Sequence, residues 1–341
     1  MRRVVVHIGL EKAASTSLQA QLVAARDELA AGGTVFPQLG GGGAKDQRDL
    51  RFAFGIDPPA RMRVVQTLSS AGRDADTLVL SGETLYNVAP AHLTALLAEA
   101  GWGDAAVSAV AIVREPAGWL DSRYAFDALQ FLHRRSFRAY LARALRGRRT
   151  SFMRAFTPWI DAADVHFTAV PLSPADGASV IVRTLQAMGL PERYANPSKS
   201  LNEAVDPRTV EAARRLSRYG IAAHGFSVIR PTRKVMLAAA AREGFSGRFQ
   251  GLDAALVARI EAATAADLDT FAKAVWGGPW HDHYAARPQT TLAPNEWLRH
   301  NNEWLRHKGS DADRAAIARV VDEVRRVRNL RGGLLTRWTG R

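Results

Sequence analysis

The chain has 341 residues, of which 47% are hydrophobic and none is cysteine, and its 46 Lys and Arg against 33 Asp and Glu give a formal net charge of +13. This length suits one large α/β domain or two smaller ones. The composition excludes collagen-like, wholly disordered and disulfide-bonded proteins, and the lack of cysteine excludes thiolate metal sites and cysteine nucleophiles. No apolar run approaches the roughly 20 residues that a membrane-spanning helix needs.

The positive charge favours an anionic partner: a phosphorylated cofactor, an acidic glycan, a membrane surface or nucleic acid. No basic patch with interleaved aromatic residues is visible, so nucleic acid is not expected. The alternative to any specific partner is a basic surface that water solvates. The apolar run after Arg3 is broken by His7, Glu11 and Lys12, too early for a secretory signal, so a cytoplasmic location is the expectation.

Short apolar runs alternate with segments of helical periodicity along most of the chain. The runs predict four buried strands, at residues 4–8, 77–83, 107–113 and 165–172. Apolar residues at spacings of three and four predict helices over 14–29, 58–70, 89–101, 117–130, 136–146, 151–163, 175–189, 207–219, 231–243 and 253–275. The Gly-rich stretch at 32–47 predicts a surface loop. Buried strands that alternate with helices predict a three-layer α/β/α fold with a mainly parallel sheet, in which ligands bind at the carboxyl ends of the strands.

The pattern changes towards the C-terminus. The hexapeptide NEWLRH occurs at residues 295–300 and again at 302–307, and residues 311–330 form a basic amphipathic pattern. We therefore expect an α/β domain over residues 1–280 and a helical, basic C-terminal extension over residues 281–341. The repeat predicts a helix that docks on the domain, and a ligand-gripping or dimerisation helix is the alternative. The sequence carries no signal for the oligomeric state.

Residues 7–19 (HIGLEKAASTSLQ) join the first strand to the first helix and have the features of an anion-binding loop. The N–H groups at a helix N-terminus lack intrahelical acceptors, and the helix dipole adds partial positive charge there. Lys12 adds a full charge, and Ser15, Thr16 and Ser17 add hydroxyl donors where N-cap residues occur. The lysine stands three residues before the hydroxyls, so the pattern is not the Walker loop GxxxxGK[ST]. The segment is therefore either a phosphate or sulfate site or an ordinary strand–helix turn with a Ser or Thr cap.

A second polar motif follows the third predicted strand. Arg114 leaves the end of this strand, and Ser122 lies eight residues later, in the helix that Pro116 begins. An arginine can bind a phosphate with two parallel hydrogen bonds, and a nearby hydroxyl could contact the same anion. Arginine is common at strand ends, so this motif alone is a weak indication.

Together, the two motifs resemble those of the sulfotransferases that use 3′-phosphoadenosine 5′-phosphosulfate (PAPS), and in particular the bacterial members of that family. The family's first signature is a strand followed by Lys-x-Gly-[Ser/Thr]-[Ser/Thr] and a helix, and many bacterial members have His-Ile-Gly just before it. Here the first signature corresponds to residues 7–17, with Ala14 in place of the usual glycine. The second signature, an arginine with a serine eight residues later, corresponds to Arg114 and Ser122. The resemblance is clearest over residues 1–130 and implies a P-loop-like sulfotransferase fold.

The resemblance also implies an activity and a set of roles. The enzyme would move a sulfuryl group from PAPS to a hydroxyl of a glycan, lipid or small metabolite, releasing 3′-phosphoadenosine 5′-phosphate, and the basic surface would suit an acidic acceptor. The loop residues that would hold the 5′-phosphosulfate are Ala13, Ala14, Ser15, Thr16 and Ser17. Lys12 would stabilise charge on the leaving phosphate, while Arg114 and Ser122 would bind the 3′-phosphate. Glu83, at the end of the second predicted strand, would be the catalytic base, and no metal is expected.

Two other functions stay open as alternatives. A non-catalytic nucleotide-binding module of the same fold is favoured by Ala14, because glycine at this position permits a positive φ and close approach of the ligand. A P-loop kinase or NTPase shares the strand–loop–helix arrangement but would be expected to show the Walker spacing. Glu83 could also be an ordinary surface carboxylate, and His7 is predicted to be a strand residue with a satisfied hydrogen bond. The histidines show no spacing typical of a metal site.

Overall fold

A computed structural model of the chain shows an α/β protein. The residues that it describes are 2–40, 47–55, 58–71, 75–147, 149–195, 205–284, 294–295 and 310–330. The NEWLRH repeat lies outside the described residues apart from Asn295, and so does most of the glycine run at 40–43. What we predict for these two segments stays a prediction.

The described residues contain one sheet of five parallel strands. The strands are β1 (Arg3–His7), β2 (Thr34–Val35), β3 (Thr77–Ser81), β4 (Ala106–Val113) and β5 (Val165–Pro171). Their order across the sheet is β2-β3-β1-β4-β5. Four of them confirm the predicted strands. β2 lies in the stretch for which we predict a loop. The sequence does not indicate it, because an edge strand of two residues is too short to show a periodic pattern.

β1 lies at the centre of the sheet and is buried on both faces. It pairs in parallel with β3, where Val6 lies beside Leu80, and with β4, where Val6 lies beside Ala109. Val4, Val5 and Val6 are at most 2% exposed, although successive side chains of a strand point to opposite faces. Both faces of the sheet are therefore covered, which is consistent with the predicted three-layer architecture.

Fourteen α-helices occur in the described part of the chain. They are α1 (Ser15–Ala24), α2 (Arg26–Ala31), α3 (Arg48–Phe52), α4 (Pro58–Ala71), α5 (Pro90–Glu99), α6 (Pro116–Leu129), α7 (Phe137–Arg146), α8 (Phe152–Ile160), α9 (Val180–Ala187), α10 (Pro207–Leu216), α11 (Phe226–Arg242), α12 (Ala254–Trp276), α13 (Trp280–His283) and α14 (Asp311–Val327). The predicted helix over 14–29 is in fact two, because Ala25 leaves the helical conformation without any breaking residue to signal it. α11 begins at Phe226 rather than at Pro231, where proline favours a helix start.

The chain divides into two compact units built from interleaved segments. The first unit comprises Met1–Glu115, Ser151–Leu201 and Thr264–Arg287, and the second comprises Pro116–Thr150, Asn202–Ala263 and Pro288–Arg341. The first unit contains the whole sheet and its hydrophobic core, and the second has apolar clusters of its own helices. The predicted boundary at residue 280 stays a prediction, since few residues beyond it are described.

The basic helix α14 packs through its apolar side within the second unit. Ile317, Val320, Val321 and Val324 are at most 4% exposed and share a cluster with residues of α10 and α11. The apolar stripe that the sequence shows at 311–330 is thus used in packing. In the part of the chain that the structure describes, no helix combines the length and the apolar character needed to cross a membrane.

Ile317→Ala tests the packing of α14. The side chain is fully buried, so we expect the free energy of unfolding to fall by about 2–4 kcal/mol through lost burial and a cavity. Chemical denaturation followed by circular dichroism measures this change. Arg326→Ala, at an exposed position of the same helix, is the control and should change it by less than about 0.5 kcal/mol. Equal effects of the two substitutions would contradict the packing described.

Candidate functional site

The order of the strands places a crevice between β1 and β4. The connection after β1 leads to β2 on one side of the sheet, whereas the connection after β4 leads to β5 on the other side. Ligands of open parallel sheets bind where the connections diverge in this way, outside the carboxyl ends of the strands. Lys12 follows β1 and Arg114 follows β4, so both predicted site residues come from the strands that border this point. We call residues 7–19, residues 81–84 and Arg114 the carboxyl-edge site; all of it belongs to the first unit.

The N-terminus of α1 has no side-chain cap. The N-cap residue is Ala14, which has no hydroxyl or carboxylate to accept a hydrogen bond. Ser15, Thr16 and Ser17 are the first three residues of the helix rather than its cap, which corrects the placement expected from the sequence. The carbonyl of Ala14 accepts hydrogen bonds from the N–H groups of Ser17 and Leu18. The N–H groups of Ser15 and Thr16 have no intrahelical acceptor and remain as donors for a ligand or water. This agrees with the anion-site interpretation and not with a turn that a Ser or Thr side chain caps.

Backbone strain is concentrated at this edge of the sheet. Five described residues other than glycine have a positive φ, and three of them are Lys12 (66°), Ala14 (58°) and Thr84 (80°). Each of these conformations costs free energy, because the Cβ atom lies too close to the backbone in the left-handed region. Strained backbone of this kind gathers at ligand-binding loops, where the surrounding structure holds it in place. Ala14 thus has the backbone conformation for which the resemblance predicts glycine.

A direct contact joins the two sequence motifs. The guanidinium of Arg114 donates a hydrogen bond from Nη1 to the carbonyl oxygen of Lys12, at 3.1 Å. The Arg114 side chain is 19% exposed, and its Nε lies 3.9 Å from the carboxylate of Glu115. Arg114 therefore reaches the loop after β1 and supports the strained residue within it. A cation beside this loop also adds to the positive potential at the start of α1.

Glu83 lies in a loop that runs along the loop after β1. The residues on either side of it make backbone hydrogen bonds to that loop: the N–H of Gly82 donates to the carbonyl of His7 at 3.0 Å, and the N–H of Thr84 donates to the carbonyl of Gly9 at 3.4 Å. The Glu83 side chain is half-buried. The structure thus brings the backbone of Glu83 beside the segment that carries Lys12.

A buried polar network beneath the site was not anticipated from the sequence. His7 Nδ1 lies 2.9 Å from Ser81 Oγ, and Gln19 Nε2 donates to both the hydroxyl (3.2 Å) and the carbonyl (3.3 Å) of Ser81. Gln47 accepts from the N–H of Ser81 at 2.7 Å and donates to the carbonyl of Pro37. The four polar side chains are at most 3% exposed. Gln19 lies on the predicted first helix and Gln47 in the predicted loop at 32–47, and nothing in the pattern indicates that they meet at Ser81.

His7 is more than a satisfied strand residue. Burial lowers the pKa of His7 to about 4, so the imidazole is neutral at pH 7. Its Nδ1 has a partner in Ser81, but its Nε2 is buried and has no hydrogen-bond partner among the described residues. Thr84 Oγ1 and Arg114 Nε are likewise buried at this edge without a hydrogen-bond partner in the described chain. Unsatisfied buried groups are rare and costly, so three at one strand edge point to a ligand or water that would satisfy them.

The remaining predicted site residues take different positions. Ala13 is fully buried, Ser15 is 1% exposed and donates a long hydrogen bond (3.4 Å) to the carbonyl of Leu10, and Thr16 is exposed. Ser122 lies on α6, in the second unit, and its part in the site stays a prediction. In the described residues, no group of three or more His, Cys, Asp or Glu side chains is arranged to hold a metal ion.

Glu115 links the carboxyl-edge site to two stacked aromatic residues of the first unit, Tyr284 and Trp280. Its carboxylate accepts a hydrogen bond from the hydroxyl of Tyr284 at 3.0 Å. Burial, together with this carboxylate, raises the pKa of Tyr284, so the phenol stays protonated as a donor. Tyr284 stacks on Trp280, with ring centroids 5.0 Å apart and an interplanar angle of 13°. The residue after Arg114 is thereby fixed, which helps to fix the backbone from which Arg114 projects.

Gly9→Ala tests how tightly the loop packs on His7. A methyl group at Gly9 would lie 2.4 Å from His7 Nε2, and the ring cannot move without losing its contact with Ser81. We expect a loss of about 1–3 kcal/mol in the free energy of unfolding, as for other overpacked sites. Gly32→Ala is the matched control, because its new methyl group would lie no closer than 3.4 Å to any atom. An equally small effect at both positions would refute the close packing at Gly9.

Ala14→Gly tests the strain at the N-cap of α1. Glycine adopts the left-handed region without the steric cost borne by alanine, although it also gains entropy in the unfolded chain. On balance we expect the free energy of unfolding to rise by about 0.5–1 kcal/mol, which would be measured as a higher melting temperature. Ala14→Val should destabilise, because a β-branched residue tolerates a positive φ less well. A melting temperature that falls with glycine would contradict the strained conformation.

Comparison with known proteins leaves the family of this chain open. No protein-family model matches it, and no curated protein or solved structure matches it either.

Proposed function

We propose that this protein is a PAPS-dependent sulfotransferase of P-loop-like fold, acting on an acceptor hydroxyl. The observation that carries the proposal is the hydrogen bond from Arg114 to the carbonyl of Lys12, at the point where the strand connections diverge. It joins the two segments whose motifs resemble those of PAPS-dependent enzymes. An ordinary strand–helix turn would need neither this contact nor an uncapped, strained helix start.

The residues of the carboxyl-edge site fit a doubly anionic nucleotide. The uncapped N-terminus of α1 offers backbone N–H donors and the positive end of a helix dipole. Lys12 adds a charge in the same loop, and Ser17 and Thr16 add hydroxyls. The unsatisfied Nε of Arg114 is a donor for a second anionic group. In this proposal the loop holds the 5′-phosphosulfate and Arg114 holds the 3′-phosphate, while the role of Ser122 stays a prediction from the sequence.

Bound PAPS would supply the sulfuryl group that passes to the acceptor oxygen. Lys12 and the helix N–H groups would stabilise the negative charge that grows on the leaving phosphate, because fixed donors need no reorganisation during the reaction. Glu83 would accept the proton of the attacking hydroxyl, since its loop runs beside the loop of Lys12. Catalysis would then rest on positioning and electrostatics, as in phosphoryl transfer. The acceptor is a glycan, a lipid or a small metabolite, and a cytoplasmic location is part of the proposal.

Binding of 3′-phosphoadenosine 5′-phosphate to the purified protein tests the proposal. Isothermal titration calorimetry should show binding to the wild type, and Arg114→Ala should weaken it at least about tenfold, because a charge-assisted contact to an anion contributes more than about 1.4 kcal/mol. Arg63→Ala is the control: Arg63 lies exposed on α4 in the same unit and should leave the affinity unchanged. Binding that survives intact in Arg114→Ala would overturn the assigned role.

Turnover separates the proposal from its alternatives. With PAPS and a panel of hydroxyl acceptors, transfer of labelled sulfate should occur with the wild type and fall at least about a hundredfold in Glu83→Gln, as when a general base is lost. Nucleotide binding without turnover on any acceptor would instead favour a non-catalytic binding module. Mg²⁺-dependent ATP hydrolysis without binding of the adenosine bisphosphate would favour a P-loop kinase or NTPase.

A further inference from the structure

The hydrogen bonds of Ser81 determine which nitrogen of His7 carries the proton. Gln19 Nε2 lies within hydrogen-bond distance of the Ser81 carbonyl, which can only accept, so the amide nitrogen must face Ser81. The same nitrogen donates to the Ser81 hydroxyl. The hydroxyl hydrogen of Ser81 then needs an acceptor, and His7 Nδ1 is the one that lies near it, at 2.9 Å.

A neutral imidazole carries one proton. If Nδ1 accepts from Ser81, the proton is on Nε2. Nε2 is therefore a buried N–H donor, and it has no acceptor among the described residues. The ring itself is fully buried, so this donor is not satisfied by bulk water.

The Nε2–H of His7 faces the start of α1. The two ring nitrogens lie on different edges of the imidazole, so Nε2 points away from Ser81. The position that a side chain of Gly9 would take lies 2.4 Å from His7 Nε2 and 3.3 Å from Ser15 Oγ. The space on the side-chain side of Gly9 therefore borders both the imidazole edge and the first residue of the helix. Ser15 itself is held by a hydrogen bond of 3.4 Å to Leu10, which is long for a hydroxyl donor.

We propose that His7 is an anion-binding residue, which presents its Nε2–H from beneath the loop to a tetrahedral oxyanion at the N-terminus of α1. Two independent observations support it: a helix of ten residues whose N-cap makes no side-chain hydrogen bond, and a fully buried side chain whose unsatisfied donor faces that N-terminus. In the setting of the proposed function, on which this inference rests, the oxyanion is the 5′-phosphate end of the nucleotide.

A neutral donor suits this position for a physical reason. A buried cation would carry a large desolvation cost whenever the ligand is absent, whereas a neutral N–H costs far less. The network of Ser81, Gln19 and Gln47 fixes both the ring and its tautomer, so the donor is preorganised before the anion arrives. Lys12, which is half-buried, would supply the positive charge, and the hydrogen bond from His7 would orient the anion.

Two substitutions separate the functions of the two ring nitrogens. The amide of Asn reaches about as far as Nδ1, so His7→Asn keeps a partner for Ser81 and removes the Nε2 donor. The amide of Gln reaches about as far as Nε2, so His7→Gln supplies a donor facing the loop. Titration calorimetry with 3′-phosphoadenosine 5′-phosphate should show affinity lowered at least about tenfold in His7→Asn, and His7→Gln should lie within about threefold of the wild type. Wild-type affinity in a folded His7→Asn would overturn the inference.

The wild-type protein gives a second test that does not depend on a variant folding. The ¹⁵N chemical shifts of His7 should show a neutral imidazole protonated at Nε2, and titration with inorganic phosphate should shift the Nε2 resonance. A proton on Nδ1, or a resonance unmoved at saturating phosphate, would refute the inference.

The failure of this inference differs from the failure of the proposed function. If the adenosine bisphosphate does not bind but inorganic phosphate shifts Nε2, the anion site stands and the nucleotide assignment falls. A different outcome would remove only the role of His7. The bisphosphate would bind and Arg114→Ala would weaken its binding, but His7→Asn would keep the wild-type affinity and the Nε2 resonance would not move. The nucleotide assignment would then stand, and His7 would be only structural.

Discussion

The hydrogen bond between Arg114 Nη1 and the carbonyl of Lys12 joins residues 102 positions apart in sequence. It exists because β1 and β4 are neighbours in a parallel sheet, so their carboxyl ends emerge side by side. The loop after β1 cannot take its conformation on local preferences alone, since Lys12 and Ala14 both have a positive φ. A fixed donor from the neighbouring strand end offsets part of that strain. The nucleotide site proposed for this edge depends on the contact, because it brings the two sequence motifs together.

A second layer of polar contacts supports the same loop from below. Ser81, at the end of β3, is the residue at which His7, Gln19 and Gln47 meet. Each member of this network is buried, so each hydrogen bond prevents an uncompensated desolvation rather than adding much net stability. Such a network restricts the side chains to one arrangement. Arg114 thus bonds to the loop of Lys12 directly, and the network of Ser81 joins the strand end and the helix that flank this loop.

The sequence predicts the sheet better than it predicts the site. Runs such as Val4–Val6 predict strands buried on both faces, because they are short, β-branched and continuously apolar. The positions of Lys12 and Arg114 at strand ends follow from those runs. The cap of α1 could not be predicted, because the three hydroxyl residues look like caps and an alanine gives no signal of a left-handed conformation. The partner of His7 was equally hidden, since the pairing of β3 with β1 is what brings Ser81 beside it.

The interleaving of the two units has a consequence for biogenesis. β1, β3 and β4 are complete once residue 113 has been made, yet the core around them also includes Leu268 and Phe271. Two segments of the second unit, Pro116–Thr150 and Asn202–Ala263, are synthesised before those residues appear. Because chains emerge from the ribosome in order, the core around the sheet cannot be complete before these two segments of the second unit have been translated.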